Sequence, residues 1–380
     1  MRKLLCLLLA ALPAFGACGN GYSFCRQITI PAQSAQAADV TDFGFNHHRT
    51  ESWLATIANG GKVNNTVAQT GGAAITVPAD LVFTSDAGCS TLLPFEFTEY
   101  NPVTGYINVF INVGTNAIAT PNLPWECYGK VSQTTFAGNV TGTWGPNVVG
   151  KWHLTNVAGA VDAHDSIGVN NGTVTGVTVA GTAGPVGAAA AFTGAAGSYI
   201  NVGTSSTLDV PGDLTMSAWI RMTDFVNNNA VFTRTNAGSP APFDSYMSAT
   251  SGFHQFFTGS QTTVIGATTG VAVNTWALVS IVITGNTAKH YTNGVPHSGT
   301  PATNATHTAG GTRTAYIGTR ADFSTKFKGS MQEVSFHNTA RSASRLREEY
   351  LNQFDPVSYY SVGAELTLTG SATQKWNILN

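Results

Sequence analysis

The chain has 380 residues, 43% of them hydrophobic and only 10% charged, with a net charge of −2. That length holds two or three ordinary domains, and the apolar share excludes a disordered chain. The near-neutral balance excludes a basic field for nucleic acid and a polybasic membrane patch, while 41 glycines with abundant Thr, Asn, Ser and Ala suit short strands joined by turns.

The first 17 residues, MRKLLCLLLAALPAFGA, set Arg2 and Lys3 before an apolar run from Leu4 to Leu12, followed by small residues at Ala14, Gly16 and Ala17. This predicts a secretory signal peptide over 1–17, too short to span a membrane, and no later window is apolar enough for a span. Phe15-Gly16-Ala17-Cys18 also resembles a lipobox, which would make Cys18 the lipid-bearing residue of a surface lipoprotein. Loss of the leader removes Cys6 and leaves Cys18, Cys25, Cys89 and Cys127. An even number in an exported chain predicts disulfides, with three connectivities open.

From about residue 20 to 130 the pattern has period two. Phe24 to Ile30 alternates, ADLVFTS (79–85) leads into LLPFEFTEY (92–100), and the turn Asn101-Pro102-Val103-Thr104-Gly105 precedes YINVFINV (106–113). This reads as an antiparallel meander in a domain over 18–132, with a helical stretch near Thr50 to Ala58. His47-His48 reads as a solvated loop pair. Residues 133–149 lack periodicity and read as a linker.

The strands resume in a second domain over 150–365, followed by a tail over 366–380. Leu214 to Met222 alternates, WALVSIVI (276–283) reads as a strand buried on both faces, and Asn293-Gly294 marks a hairpin. Leu346, Tyr350 and Phe354 fall on one face of a single helix capped by Ser342 or Ser344, whose Arg341, Arg345, Arg347, Glu348 and Glu349 read as a solvated face. The fold class expected is all-β: two β-sandwich domains and one short C-terminal helix.

Segments in the second half resemble a laminin-G-like domain of the concanavalin A-like lectin/glucanase superfamily. They are Trp152-His153-Leu154, the Asp165 to Thr173 loop, Phe192-Thr193-Gly194, Leu214 to Trp219, Asn293-Gly294-Val295, and Gly329 to Asn338 with the helix after it. The resemblance implies a jelly roll. The first half, through Gly21 to Arg26, Asp80 to Asp86, Leu93 to Glu96 and Cys127 to Lys130, resembles a small bacterial and phage-associated β-sandwich of unknown function.

Glucanases of that superfamily carry carboxylates at alternating strand positions. None of the 20 acidic residues forms a Glu-x-Asp-x-Glu run, and Glu96 and Glu99 are expected on opposite faces of their strand. Neither a Gly-x-Ser-x-Gly elbow nor a phosphate loop occurs, so no catalytic residue is assigned. Trp219, on a face with Thr215, Ser217 and Arg221, either stacks a sugar ring or fills a second core layer. Tyr246, Phe253, Phe256 and Phe257 either form an aromatic rim or pack. Trp219, Arg221, Tyr246 and Phe256 are the ligand-binding candidates.

Gly19-Asn20-Gly21 lets Cys18 and Cys25 meet, and Cys89 in a turn can reach Cys127 in a late strand of the same domain, so the pairs expected are Cys18–Cys25 and Cys89–Cys127. The resemblance implies one structural Ca2+ in the Asp162 to Asn171 loop, held by Asp165 and Asn170 with Glu333 as a second carboxylate. The function expected is recognition of a glycan or other surface macromolecule by a secreted or cell-surface protein that is not an enzyme. The alternatives are a structural or adhesive part of a cell surface or phage tail, which would make the protein virion-associated, and a glycoside hydrolase.

Overall fold

A computed structural model describes residues 18–32, 40–226, 229–234, 243–248, 252, 254–258, 262–265, 270–297 and 311–367. The leader over 1–17 and the tail beyond 367 lie outside the described residues. Among those described, no helix is long and apolar enough to cross a membrane.

The first half is a β-sandwich. In one sheet the strand Phe24–Thr29 pairs with Trp125–Tyr128, which pairs with Leu81–Thr84. In the other, Gly44–Thr50 and Phe95–Asn101 flank Tyr106–Asn112. Alternation gives each strand an apolar face, and Phe45, Phe83, Phe95 and Phe97 bury theirs between the sheets. The disulfides are Cys18–Cys25 and Cys89–Cys127. The turn before Tyr106 closes as its residues dictate. Asn101 Oδ1 accepts the N–H groups of Val103 and Thr104, and Gly105 has φ +71 where a Cβ would collide with the Glu51 carbonyl.

Three local expectations are corrected. The meander is split: Leu81–Thr84 joins the sheet of Phe24–Thr29 and Trp125–Tyr128, and of its three strands only Phe95–Asn101 and Tyr106–Asn112 pair with each other. The helical stretch near Thr50 to Ala58 is a pair of single 3-10 turns, Ser52–Leu54 and Ile57–Asn59. His47-His48 lies on the strand Gly44–Thr50, not in a loop. His47 is fully buried, with Nε2 3.1 Å from Glu126 Oε2.

The second half is a larger sandwich. One sheet runs through Ala190–Thr193, Lys328–His337, Leu214–Met222, Ala277–Thr284 and Thr287–Thr292. The facing sheet contains Tyr199–Gly203, Ala315–Ile317, Asn229–Thr233, Phe243–Met247 and His254–Thr258. Trp152, Phe232, Phe243 and Phe336 fill the space between them. A bulge opposite Ser217 and Trp219 puts Glu333 at φ +53, a conformation that costs a non-glycine residue energy.

The helix Ala343–Phe354 starts where Ser342 Oγ accepts the Arg345 N–H at 3.1 Å, and a shorter helix, Pro356–Tyr359, follows. Its charged residues are not all solvated. Arg345 and Glu348 are buried because this helix is wedged against the first half. Asn352 accepts the Asn46 N–H at 2.6 Å and donates to the Asn46 carbonyl at 3.0 Å. The chain then returns to the first sheet: Ser361–Val362 and Leu366–Thr367 both pair with Phe24–Thr29. Residues 133–149 are packed as well. Phe136 meets the Phe95 ring at 5.5 Å, and Trp144 is buried.

Candidate functional site

A cleft of about 590 Å³ opens at the junction of the two halves. The first half contributes Thr56, Thr76, Glu99, Tyr100, Asn101 and Tyr106, and the second contributes Asn156, Ala158 and Ala188. Tyr100 and Tyr106 flank the 101–105 turn, and both rings are fixed through their hydroxyls. Tyr100 donates to the Leu54 carbonyl at 2.9 Å, and Tyr106 is hydrogen-bonded to His48 Nε2 at 2.9 Å. Burial, then the neighbouring His47, lower the His48 pKa to about 4, so that imidazole is neutral at ordinary pH. On the other side, Asn156 Oδ1 accepts the Gly159 N–H at 2.8 Å and braces a hairpin tip.

Glu99 is the carboxylate in the cleft. It accepts the Ala188 N–H at 2.5 Å and the Thr155 hydroxyl at 3.1 Å, and so crosses the junction. Burial raises its pKa, against the hydrogen bonds from Ala188, Thr155 and Tyr106 that favour the anion. Among the described residues, no Lys, Arg or His lines the cleft. Its chemistry is that of hydroxyls, amides, fixed phenol rings and the Glu99 carboxylate.

Glu96 and Glu99 share a face, contrary to the sequence expectation. Thr98 is an extra residue in the ladder: Phe97 pairs with Val109 but Glu99 pairs with Asn108. The bulge turns both carboxylates toward the second half. Glu96 is fully buried, and it accepts the Trp144 indole N–H at 2.7 Å and the Ser166 hydroxyl at 2.8 Å. His153 Nε2 lies 3.4 Å from Glu96, and its Nδ1 lies 2.7 Å from Glu333, which also meets Lys151 Nζ at 2.5 Å. Burial alone would lower the His153 pKa. The carboxylates of Glu333 and Glu96 outweigh it and raise the value to about 9.

The other residues singled out in the sequence lie elsewhere. Trp219 is fully buried, donates its indole N–H to Gln353 at 2.6 Å and packs on Tyr350. The helix and the first half cover its sheet face, so it is a core residue and not a sugar platform. Phe256 is fully buried, and Tyr246 is buried with its hydroxyl donating to Asp244 at 2.8 Å. Neither forms a rim. Phe253 and the side chain of Phe257 lie outside the described residues. Arg221 donates to the Asn274 carbonyl at 3.1 Å, outside the cleft. Asp165 accepts N–H groups of Lys151, Ile167 and Asn170, and so braces its own loop. Glu333 is held by Lys151 and His153. Among the described residues, no group of three or more His, Cys, Asp or Glu is placed to hold a metal ion. Tyr100 and Tyr106 had one visible signal, their position on either side of a tight turn. Thr76 and Asn156 had none, because they come from segments distant in sequence.

A family model described as the Concanavalin A-like lectin/glucanases superfamily, Laminin_G_3, matches residues 192–347. No curated protein matches the chain. Among solved structures, domain 4 of AbnA, a GH43 extracellular arabinanase from Geobacillus stearothermophilus solved with arabinotriose, is 19% identical. The match covers 53% of this chain and 97% of that one, with a TM-score of 0.45. The binding domain of Paraclostridial Mosquitocidal Protein 1 is 13% identical over 56% of this chain and 52% of its own, with a TM-score of 0.43. The binding domain of botulinum neurotoxin serotype G is 11% identical over 55% and 51%, with a TM-score of 0.41. This chain thus spans about half the length of the two toxin domains. Residues 192–347 belong to a laminin-G-like domain of the concanavalin A-like lectin/glucanase superfamily.

Proposed function

We propose that the protein is a secreted or surface-exposed recognition protein that binds a neutral glycan segment in the cleft between its halves. The observation that carries this reading is the cleft lining. Tyr100 and Tyr106 offer fixed rings for C–H/aromatic stacking, while Thr56, Thr76, Asn101 and Asn156 offer donors and acceptors for sugar hydroxyls. The superfamily of residues 192–347 supports a binding role, and the two disulfides support an oxidising compartment.

The role is binding and not hydrolysis. Two-carboxylate hydrolysis needs an acid and a base or nucleophile flanking one bond. Among the described residues Glu99 is the only carboxylate lining the cleft, and Glu96, on the same strand face, is fully buried and engaged. A glycan array probed with the purified protein tests this reading. Saturable binding to neutral oligosaccharides without release of reducing sugar supports it. Binding to no glycan, or turnover of a bound one, contradicts it.

A further inference from the structure

A second, smaller cleft of about 260 Å³ lies where the start of the helix Ala343–Phe354 meets the first half. Thr41 and Asp42 line it from one side, Trp144 and Asn147 from the connecting segment, and Arg341 and Arg345 from the other side. Arg345 is 7% exposed. Its Nη1 donates to the carbonyls of Thr41 at 3.0 Å and Asp42 at 2.7 Å, while its Nε has no partner. Arg341 meets the neutral imidazole of His337 at 3.0 Å, and its Nε is also without a partner.

Neither guanidinium pairs with a carboxylate among the described residues. Glu349 and Asp42 act on them only from longer range. Carbonyl dipoles and an imidazole do not neutralise two neighbouring cations. The effect is visible in their surroundings: burial, then the adjacent Arg341, push the Arg345 pKa down to about 9, and burial, then Arg341 and Arg345, hold the His337 pKa well below its ordinary value. The positive end of the helix dipole adds to the same field. Asp42 works against it, although its carboxyl group packs on Gly145, where an added Cβ would sit 3.0 Å from Asp42 Cγ.

We propose that this cleft binds a small tetrahedral oxyanion, sulfate or phosphate, between Arg341 and Arg345. A guanidinium fork presents parallel N–H donors to two oxygens of such a group. Arg345 already spans to the backbone of the first half, so a bound anion would add to the clamp between helix and sandwich. The site is separate from the glycan cleft, which among the described residues holds no basic side chain.

Calorimetric titration of the mature protein with millimolar sodium sulfate and sodium phosphate, against sodium chloride at matched ionic strength, tests the proposal. One saturable site per chain is expected, with affinity falling at least tenfold in Arg341→Gln. Asn147→Asp, at an exposed position of the rim, is expected to weaken the site as well and serves if the arginine variant does not fold. A sulfated disaccharide that binds more tightly than free sulfate identifies a glycan-borne anion, and equal affinity identifies the free ion. Absence of saturable binding, or unchanged binding in a folded Arg341→Gln and in Asn147→Asp, overturns the proposal.

Discussion

Trp144 donates its indole N–H to Glu96 at 2.7 Å, and this bond anchors the segment between the halves to the strand Phe95–Asn101 of the first half. It does so beside an apolar cluster in which Phe110 of the first half packs with Trp144, Val148, Val186 and Trp219. The two sandwiches therefore share a core and a buried polar network. That arrangement fixes the relative position of the residues on the two sides of the 590 Å³ cleft.

Removing Glu96 strands several buried groups at once. Glu96→Ala leaves the Trp144 N–H, the Ser166 hydroxyl and one side of His153 without their acceptor. Breaking a buried charged network by deleting one partner costs about 3–5 kcal/mol. Urea denaturation should show a loss of that order.

The network also makes stability depend on pH. His153 holds its proton up to about 9 in the folded chain, against 6.5 for an ordinary histidine. A raised pKa means the contribution is complete below about pH 6.5 and disappears as pH climbs through about 9. The folded-state preference amounts to about 3 kcal/mol at most. The difference in melting temperature between the native protein and His153→Gln should therefore shrink steadily from pH 6.5 to pH 10. A constant difference contradicts the assignment.

Trp219 should behave as a core residue. Trp219→Ala removes a fully buried indole beneath Tyr350 and leaves Gln353 without its donor. Truncation of a buried aromatic costs about 3–5 kcal/mol. Chemical denaturation should report that loss, while glycan affinity measured on the folded fraction at low temperature stays within about twofold.

Features encoded by neighbouring residues were legible in the sequence. The alternation of Leu214 to Met222 and the Asn293-Gly294 pair both specify local backbone, and the hairpin places Thr292 opposite Val295 with Asn293 and Gly294 at positive φ. Features set by distant partners were not legible. Trp219 has the same alternation whether its face meets sugar or protein, and what covers it is Gln353 and Tyr350, more than 100 residues later. The shared face of Glu96 and Glu99 depends on a single extra residue, Thr98, that carries no turn signal. The carboxylates near His47-His48 in sequence are Asp42 and Glu51, whereas the partner of His47, Glu126, arrives from another strand. The superfamily likeness pointed to the second half for ligand binding, whereas the cleft draws on both halves because they pack as one body.

The most direct measurement is glycan affinity after the cleft is filled from an exposed position. Thr76 is exposed on the strand Thr76–Pro78 and lines the cleft, so Thr76→Trp occupies the space without disturbing a buried side chain. Calorimetric titration with a neutral oligosaccharide selected on the array should give a saturable isotherm for the native protein. For Thr76→Trp the account predicts at least a tenfold loss of affinity, with the melting temperature unchanged within a few degrees. Equal affinity in the two proteins would place the ligand elsewhere on the molecule and contradict the account.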